Sequence, residues 1–408
     1  MTGSAVIVDA VRTPLGARNG AISGWHPCDL GAEVLAALAR RSELDPGLVG
    51  EVIVGCATPM GEQGLNLARN AVLAAGWPES VPATTLDRQG AGSLQAIALA
   101  AAAVVGGSLD VVVAGGIEVT TTTPPGAWVT PGSRPFGQRL LERYATAGGL
   151  VPPGVAAERL AERYRLSRRD LDRHAAESQR RATAARRLRQ FTGEIVTIES
   201  RGWDRERRQV VEAGTTASAD ECIREEVTEG DLAACKSSFE VGGRITAGNS
   251  APAADGAAAV LLMTERRAVE LDLEPLARVV ATAGAAVDPL TMLTGVIPAT
   301  ASVLRRSGLV ASDLSRIEVD EWFAAIPLAW LAEHGADPAS VNPDGGAIAL
   351  GHPAGAAGAR ALTTLVHGLA RGEGGYGMVT IGGIGGVATA VVVEAAVPAR
   401  RSVNHRSP

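Results

Sequence analysis

A single histidine, His352, lies in the stretch Asn342–Arg360, NPDGGAIALGHPAGAAGAR, a loop almost free of bulky side chains. Imidazole exchanges its proton near neutral pH, so it can serve as an acid, a base or a hydrogen-bond donor to a carbonyl oxygen. Glycine lets the backbone approach a ligand closely, and Pro353 fixes the turn that follows the histidine. The other histidines (His26, His174, His334, His367 and His405) have no comparable setting and read as surface or structural. A carboxylate, Asp320, precedes this stretch in Val319-Asp320-Glu321-Trp322-Phe323-Ala324. The four cysteines (Cys28, Cys56, Cys222 and Cys235) have neither metal-ligand nor disulfide-framework spacing. Cys56 ends a strand-like run and reads as a buried structural thiol.

The elements that must position these residues follow from short apolar runs. Ala5–Asp9, Glu51–Cys56 and Leu109–Gly115 are β-branched runs with the signature of buried strands. Between them lie alanine-rich helical stretches, notably Leu94–Val105. A second half mirrors the first: Arg278–Ala281 and Arg316–Val319 are strand-like, Met378–Gly382 echoes Val111–Gly115, and Ala356–Leu369 parallels Leu94–Val105. The matching pieces lie about 265 residues apart, which implies an internal duplication. Alternating strands and helices predict a layered α/β fold with covered sheets.

Length and composition agree. A chain of 408 residues is long for one core, and 46% hydrophobic with 20% charged residues is ordinary for a globular protein. Aromatics make up 3% against 49 glycines, which favours close backbone packing over aromatic clusters. A net charge of −6 argues against general nucleic-acid affinity. No apolar run reads as a membrane span, no apolar leader precedes the first strand, and the cysteine usage suits a reducing cytoplasm. The boundaries expected are a first half over residues 1–119, a loop domain with the remainder of that half over 120–274, a second half over 275–397 and a polar tail over 398–408. Ala156–Phe191 is expected to be a charged, arginine-rich helical region. Its arginines read as a solvated face, or as a cationic rim for a phosphorylated ligand such as coenzyme A.

Several motifs in order resemble those of thiolases, over about residues 4–396: DAVRTP at Asp9–Pro14, GEQGLNLARNAVLAAGWP at Gly61–Pro78, ITAGNSAPAADGAAA at Ile245–Ala259, DPLTMLTGVIPAT at Asp288–Thr300, and GGAIALGHP ending at Pro353. The resemblance implies a thiolase fold, two βαβαβαββ halves in α/β/α/β/α layers with an inserted loop domain. It also implies a coenzyme A thioester as substrate, no permanently bound cofactor or metal, and a homodimer or homotetramer. GGIGG at Gly382–Gly386 is too unspecific to indicate a dinucleotide site.

The family's chemistry makes demands that can be checked position by position. His352 matches the histidine that activates the nucleophile and holds an enolate oxygen. The nucleophilic cysteine belongs in a run that here reads Asp87-Arg88-Gln89-Gly90-Ala91-Gly92-Ser93, so the resemblance places Gly90 there. Ser93, three residues on, is a substrate-contact candidate, and its plainer reading is a capping or structural hydroxyl. The second cysteine falls on Gly382 without a gap, or on Thr380 in a shifted register. The asparagine that holds an oxyanion-hole water falls on Asp320, a carboxylate that accepts but does not donate when ionised. It is read as a base toward water, as a partner of His352, or as drift at a dispensable position. Main-chain N–H groups near Gly90 and Ile384 would still polarise a carbonyl. Ala247, Gly248, Asn249, Ser250 and Phe323 are the remaining substrate-binding candidates.

These substitutions disfavour ordinary acyl transfer. The leading expectation is an enzyme acting non-covalently on an acyl-CoA or other β-keto thioester, by hydrolytic retro-Claisen, retro-aldol or decarboxylative chemistry. The alternatives are a silent homologue that binds acyl-CoA or supports a partner subunit, and a conventional acyltransferase with an unrecognised nucleophile.

Overall fold

The computed structural model describes residues 4–396 apart from positions 131, 205 and 208; the polar tail with His405 lies outside the described residues. Among the described residues the strands are β1 (Ala5–Arg12), β2 (Gly16–Ala17), β3 (Glu51–Gly55), β4 (Ala83–Leu86), β5 (Val111–Glu118), β6 (Ile198–Asp204), β7 (Gln209–Ala217), β8 (Ala254–Thr264), β9 (Ala277–Ala286), β10 (Leu314–Val319), β11 (Tyr376–Gly382) and β12 (Val387–Ala395). The main sheet runs β10-β11-β12-β9-β1-β8-β5-β3-β4, and β6 and β7 form a separate hairpin. Strands β1 and β9 share only two residue pairs, so the sheet pinches there into two halves.

Each half has the same parallel and antiparallel sense. β3 lies parallel to β5, as β10 lies parallel to β11, and β8 and β12 close the halves antiparallel. Helices Gly92–Val105 and Ala357–Arg371 pack between the halves in one apolar cluster that draws on strands of both. Helices Pro27–Arg41 and Leu67–Ala74 cover the first half from outside, and Val296–Ser307 and Ala325–His334 cover the second. The α/β/α/β/α layering follows from this burial. Alanine and glycine dominate the central helices because each meets a sheet and another helix at once. A Cβ on Gly358 would come within 2.6 Å of Leu94 on the facing helix.

The charged middle region is helical, but in two pieces. It forms Pro153–Arg163 and Arg168–Arg187, separated where Arg165 turns left-handed (φ 53°) and Ser167 begins a capping box with Asp170. Its arginines are mostly paired: Arg168 with Asp172, Arg180 and Arg181 with Glu177, Arg186 and Arg187 with Glu225. That pairing is what a solvated face looks like, and it leaves the cationic-rim reading without support. No helix among the described residues is long and apolar enough to cross a membrane.

Candidate active site

His352 is held by its own loop and by Glu321. The loop rises through the short helix Ala347–Leu350 and turns at Gly351, whose φ of 108° excludes an ordinary side chain. The Glu321 carboxylate accepts the N–H of Ile348 at 2.9 Å, the Ser178 hydroxyl at 2.7 Å and the His174 ring at 2.8 Å, and so pins the start of that helix. Asn342 clamps the loop's first residue to β10: its side-chain amide donates to the Val319 carbonyl and accepts the Val319 N–H. The N–H of His352 then donates to Pro252 at 2.9 Å.

The His352 ring stacks on Trp322, with centroids 5.5 Å apart and planes 7° from parallel. The residue is 6% exposed, and Nε2 has no hydrogen-bond partner. Burial, reinforced by the Arg360 charge, pushes its pKa down to about 4, so the imidazole is neutral at pH 7. A cavity of about 150 Å³ opens against it, lined by Gly90, Glu118, Thr120, Trp128, Trp322 and Ile384 among others. At about 30 Å³ per water this is room for a short acyl segment or a few waters.

Gly90, on this wall, lies against Gly382 behind it. Gly90 lies in the turn Gln89–Ala91, entered through a left-handed Gln89 (φ 51°). A Cβ added to Gly90 would sit 2.6 Å from the Gly382 carbonyl oxygen, whereas one on Gly382 would meet nothing closer than 3.4 Å. Only the first position has closed around its glycine. Gly90→Cys or Gly90→Ala is therefore expected to cost about 1–3 kcal/mol of stability, as overpacking does. Urea midpoints check this, and a variant as stable as the parent contradicts the closed geometry.

Asp320 does not belong to the cavity wall. One of its oxygens accepts the Trp322 N–H and the other the Gly382 N–H, both at 3.0 Å, and it makes no hydrogen bond with His352. Burial raises its pKa to about 6 even though these bonds oppose the shift. The expected base or histidine partner is instead a bracket between two backbone segments. The same bond occupies the Gly382 N–H, which removes it as an oxyanion donor. Among the described residues the N–H of Ile384 makes no hydrogen bond, and it remains available.

Other expected substrate contacts are corrected by their partners. The Ser93 hydroxyl is fully buried and accepts the Ala359 N–H at 3.0 Å, joining the two central helices. Asn249 donates to Asp172 and Arg244 and accepts from Thr246, the Gly248 N–H donates to the Thr246 hydroxyl, and Ser250 donates to the Thr246 carbonyl. Ala247 is exposed and off the cavity. This loop serves as a platform, with Ala251 N–H on the Trp322 carbonyl and Ala324 N–H on that of Asn249. Ala251 and Ala253 line the cavity in place of residues 247–250. Phe323 packs on Trp322 and Phe239 behind the wall.

No cysteine lines the cavity. Burial, with Glu118 nearby, raises the Cys56 thiol; burial and Asp220 push Cys222 up to about 12; burial and Asp29 push Cys28 up to about 11. None of these three is a ready thiolate. Sequence reasoning missed Trp322, Trp128 and Glu118. For Glu118 the available signal was a carboxylate at the end of an otherwise apolar strand, Val111–Glu118.

Comparison with known proteins places this geometry. The family descriptions "Thiolase, N-terminal domain" and "Thiolase, C-terminal domain" match residues 5–266 and 273–395. A steroid 3-ketoacyl-CoA thiolase of Mycobacterium tuberculosis is 41% identical over 398 residues, covering 96% of this chain and 94% of the relative. An acetyl-CoA acetyltransferase of Paracoccus denitrificans is 38% identical, covering 96% and 99%. The crystal structure of the Bacillus anthracis acetyl-CoA acetyltransferase superposes with a TM-score of 0.86 at 34% identity, over 97% of this chain and 99% of that one. By sequence along both halves and by fold, the chain belongs to the thiolase family.

Proposed function

We propose that this chain is a thiolase-fold enzyme that cleaves or forms the C–C bond of a β-keto thioester without an acyl-enzyme, with hydrolytic retro-Claisen cleavage as the reaction. The single observation that carries this is the buried, unpartnered Nε2 of His352 at the wall of a cavity with no thiol on it. A buried polar atom without a partner costs about 1–3 kcal/mol, a cost recovered when a ligand supplies the missing bond. A neutral imidazole with its proton on Nε2 donates to a thioester carbonyl and more strongly to the enolate formed from it. The free N–H of Ile384 adds a second donor on the same wall. The relatives' names specify acetyl-CoA and 3-ketoacyl-CoA, and coenzyme A thioesters are accordingly the substrate class proposed here.

The test is product analysis of β-keto acyl-CoA panels in ¹⁸O-water. The expected result is label in the released carboxylic acid with no requirement for free coenzyme A. Strict dependence on free coenzyme A, with a second acyl-CoA formed in place of the carboxylic acid, contradicts the proposal. Binding without any turnover favours a silent homologue.

A further inference from the structure

Two residues on the cavity wall carry groups that ionise in the ordinary pH range, His352 and Glu118. Glu118 ends β5 and is 1% exposed. One of its oxygens accepts the N–H groups of Ala57 at 2.7 Å and Gly355 at 2.9 Å, and the other accepts the Gln63 side chain at 2.9 Å. Gln63 is itself fixed, because its own oxygen accepts the Val119 N–H at 2.6 Å. The carboxylate of this cavity-lining residue is therefore fixed in place, and it is tied to the loop that carries His352, since Gly355 is three residues beyond it. A Cβ at residue 355 would fall 2.4 Å from the carboxylate oxygen, so glycine there makes room for the group.

Non-covalent cleavage needs a proton acceptor for the attacking water and a proton donor for the α-carbon. His352, neutral down to about pH 4, serves as the oxygen-holding donor and leaves both tasks open. Asp320 is turned away into its backbone bracket. We infer that Glu118 is the acid–base group of this cavity, taking the proton from water and returning it to the α-carbon.

The inference rests on the non-covalent reading above, and the step balances. Water loses a proton to the Glu118 carboxylate while its oxygen bonds to the β-carbonyl carbon. The bond between the α- and β-carbons then breaks, and its electron pair passes into the thioester enolate, whose oxygen faces His352 Nε2 and the Ile384 N–H. The proton on Glu118 moves to the α-carbon, giving a carboxylic acid and the shortened acyl thioester and restoring the carboxylate. Burial raises the Glu118 pKa, moving it toward the range in which an acid–base catalyst works at neutral pH, while its hydrogen bonds oppose the shift.

The experiment compares the full-length protein with E118Q and E118D, using a β-keto acyl-CoA that the parent cleaves. E118Q is expected to lose about 10²–10⁴-fold in kcat with thioester binding, read by calorimetry, within a few-fold of the parent. The acid limb of the parent's pH–rate profile should disappear in the residual E118Q activity, and E118D should recover part of kcat. A purely structural role would lower melting temperature and binding together and leave the limb in place, which overturns the inference. Should E118Q not fold, deuterium incorporation at the α-carbon of a bound acyl-CoA by the parent decides: an acid limb supports Glu118, and a flat profile overturns it. An acyl-enzyme on the parent, or a parent that binds but never turns over, sinks the parent reading and this one together. Parent turnover without an adduct, unchanged in E118Q, sinks this one alone.

Discussion

His352→Ala is expected to lower kcat for the proposed β-keto thioester cleavage by about 10²–10³-fold, the loss typical of removing one oxyanion donor. Binding is expected to weaken far less, because the rest of the cavity wall, Trp128, Trp322, Ala251 and Ala253 among it, is left in place. The Trp322 ring loses its stacking partner but stays anchored through its carbonyl to Ala251 and through Phe323. The variant also separates the effects of pH. Folded His352 takes a proton only near pH 4, whereas an unfolded histidine does so near 6.5. Its contribution to stability is thus full above pH 6.5 and is lost as pH falls toward 4. Asp320, with its pKa raised to about 6, has the opposite sign: its contribution is present below about pH 3.8 and is lost as pH rises through 6. The melting-temperature gap between the parent and His352→Ala should therefore be smaller at pH 4.5 than at pH 7, because the Asp320 contribution is common to both. Equal kcat in the two proteins contradicts the donor role.

Arg12→Met is expected to cost about 3–5 kcal/mol, the penalty for stripping one partner from a buried ion cluster. Arg12 is wholly buried, with Nε on Glu194 at 2.7 Å and a two-pronged contact on Asp220 at 2.6 and 2.9 Å. Burial opposes its charge, but Asp220 and Glu194 outweigh burial and raise its pKa. Asp220 also accepts the Leu15 N–H, and Glu194 also accepts the Thr364 hydroxyl. The cluster thereby joins β1, the middle region and the central helix that follows His352. A loss of this size is a large part of the roughly 5–15 kcal/mol that holds a domain folded. Urea denaturation measures it, and a loss below about 1 kcal/mol contradicts the account.

What was legible in the sequence was the part written in short-range pattern. β-branched runs marked β1, β3, β5 and β11, and small-residue stretches marked the two central helices, because a strand or a helix between two sheets constrains every residue along it. The Asn342–Arg360 loop was legible because its glycines and Pro353 leave few backbone routes. Direction and partners were not legible. Nothing local says that the Asp320 oxygens are taken by the N–H groups of Trp322 and Gly382, the latter 62 residues away. The Ser93 hydroxyl is used by Ala359, 266 residues on, for the same reason. Glu118 escaped notice because its partners come from two connections far from it in sequence, the one that follows β3 and the one that follows His352. The break at Arg165 escaped because a left-handed arginine is not a helix-stop signal in the way that glycine or proline is.

The central claim is that chemistry at His352 proceeds with no covalent acyl intermediate. Intact-mass spectrometry of the protein, quenched in acid during turnover of a β-keto acyl-CoA, tests it most directly. The unmodified mass at every time point, while product accumulates, is the predicted result. An acyl adduct that forms and decays at the rate of turnover would contradict it.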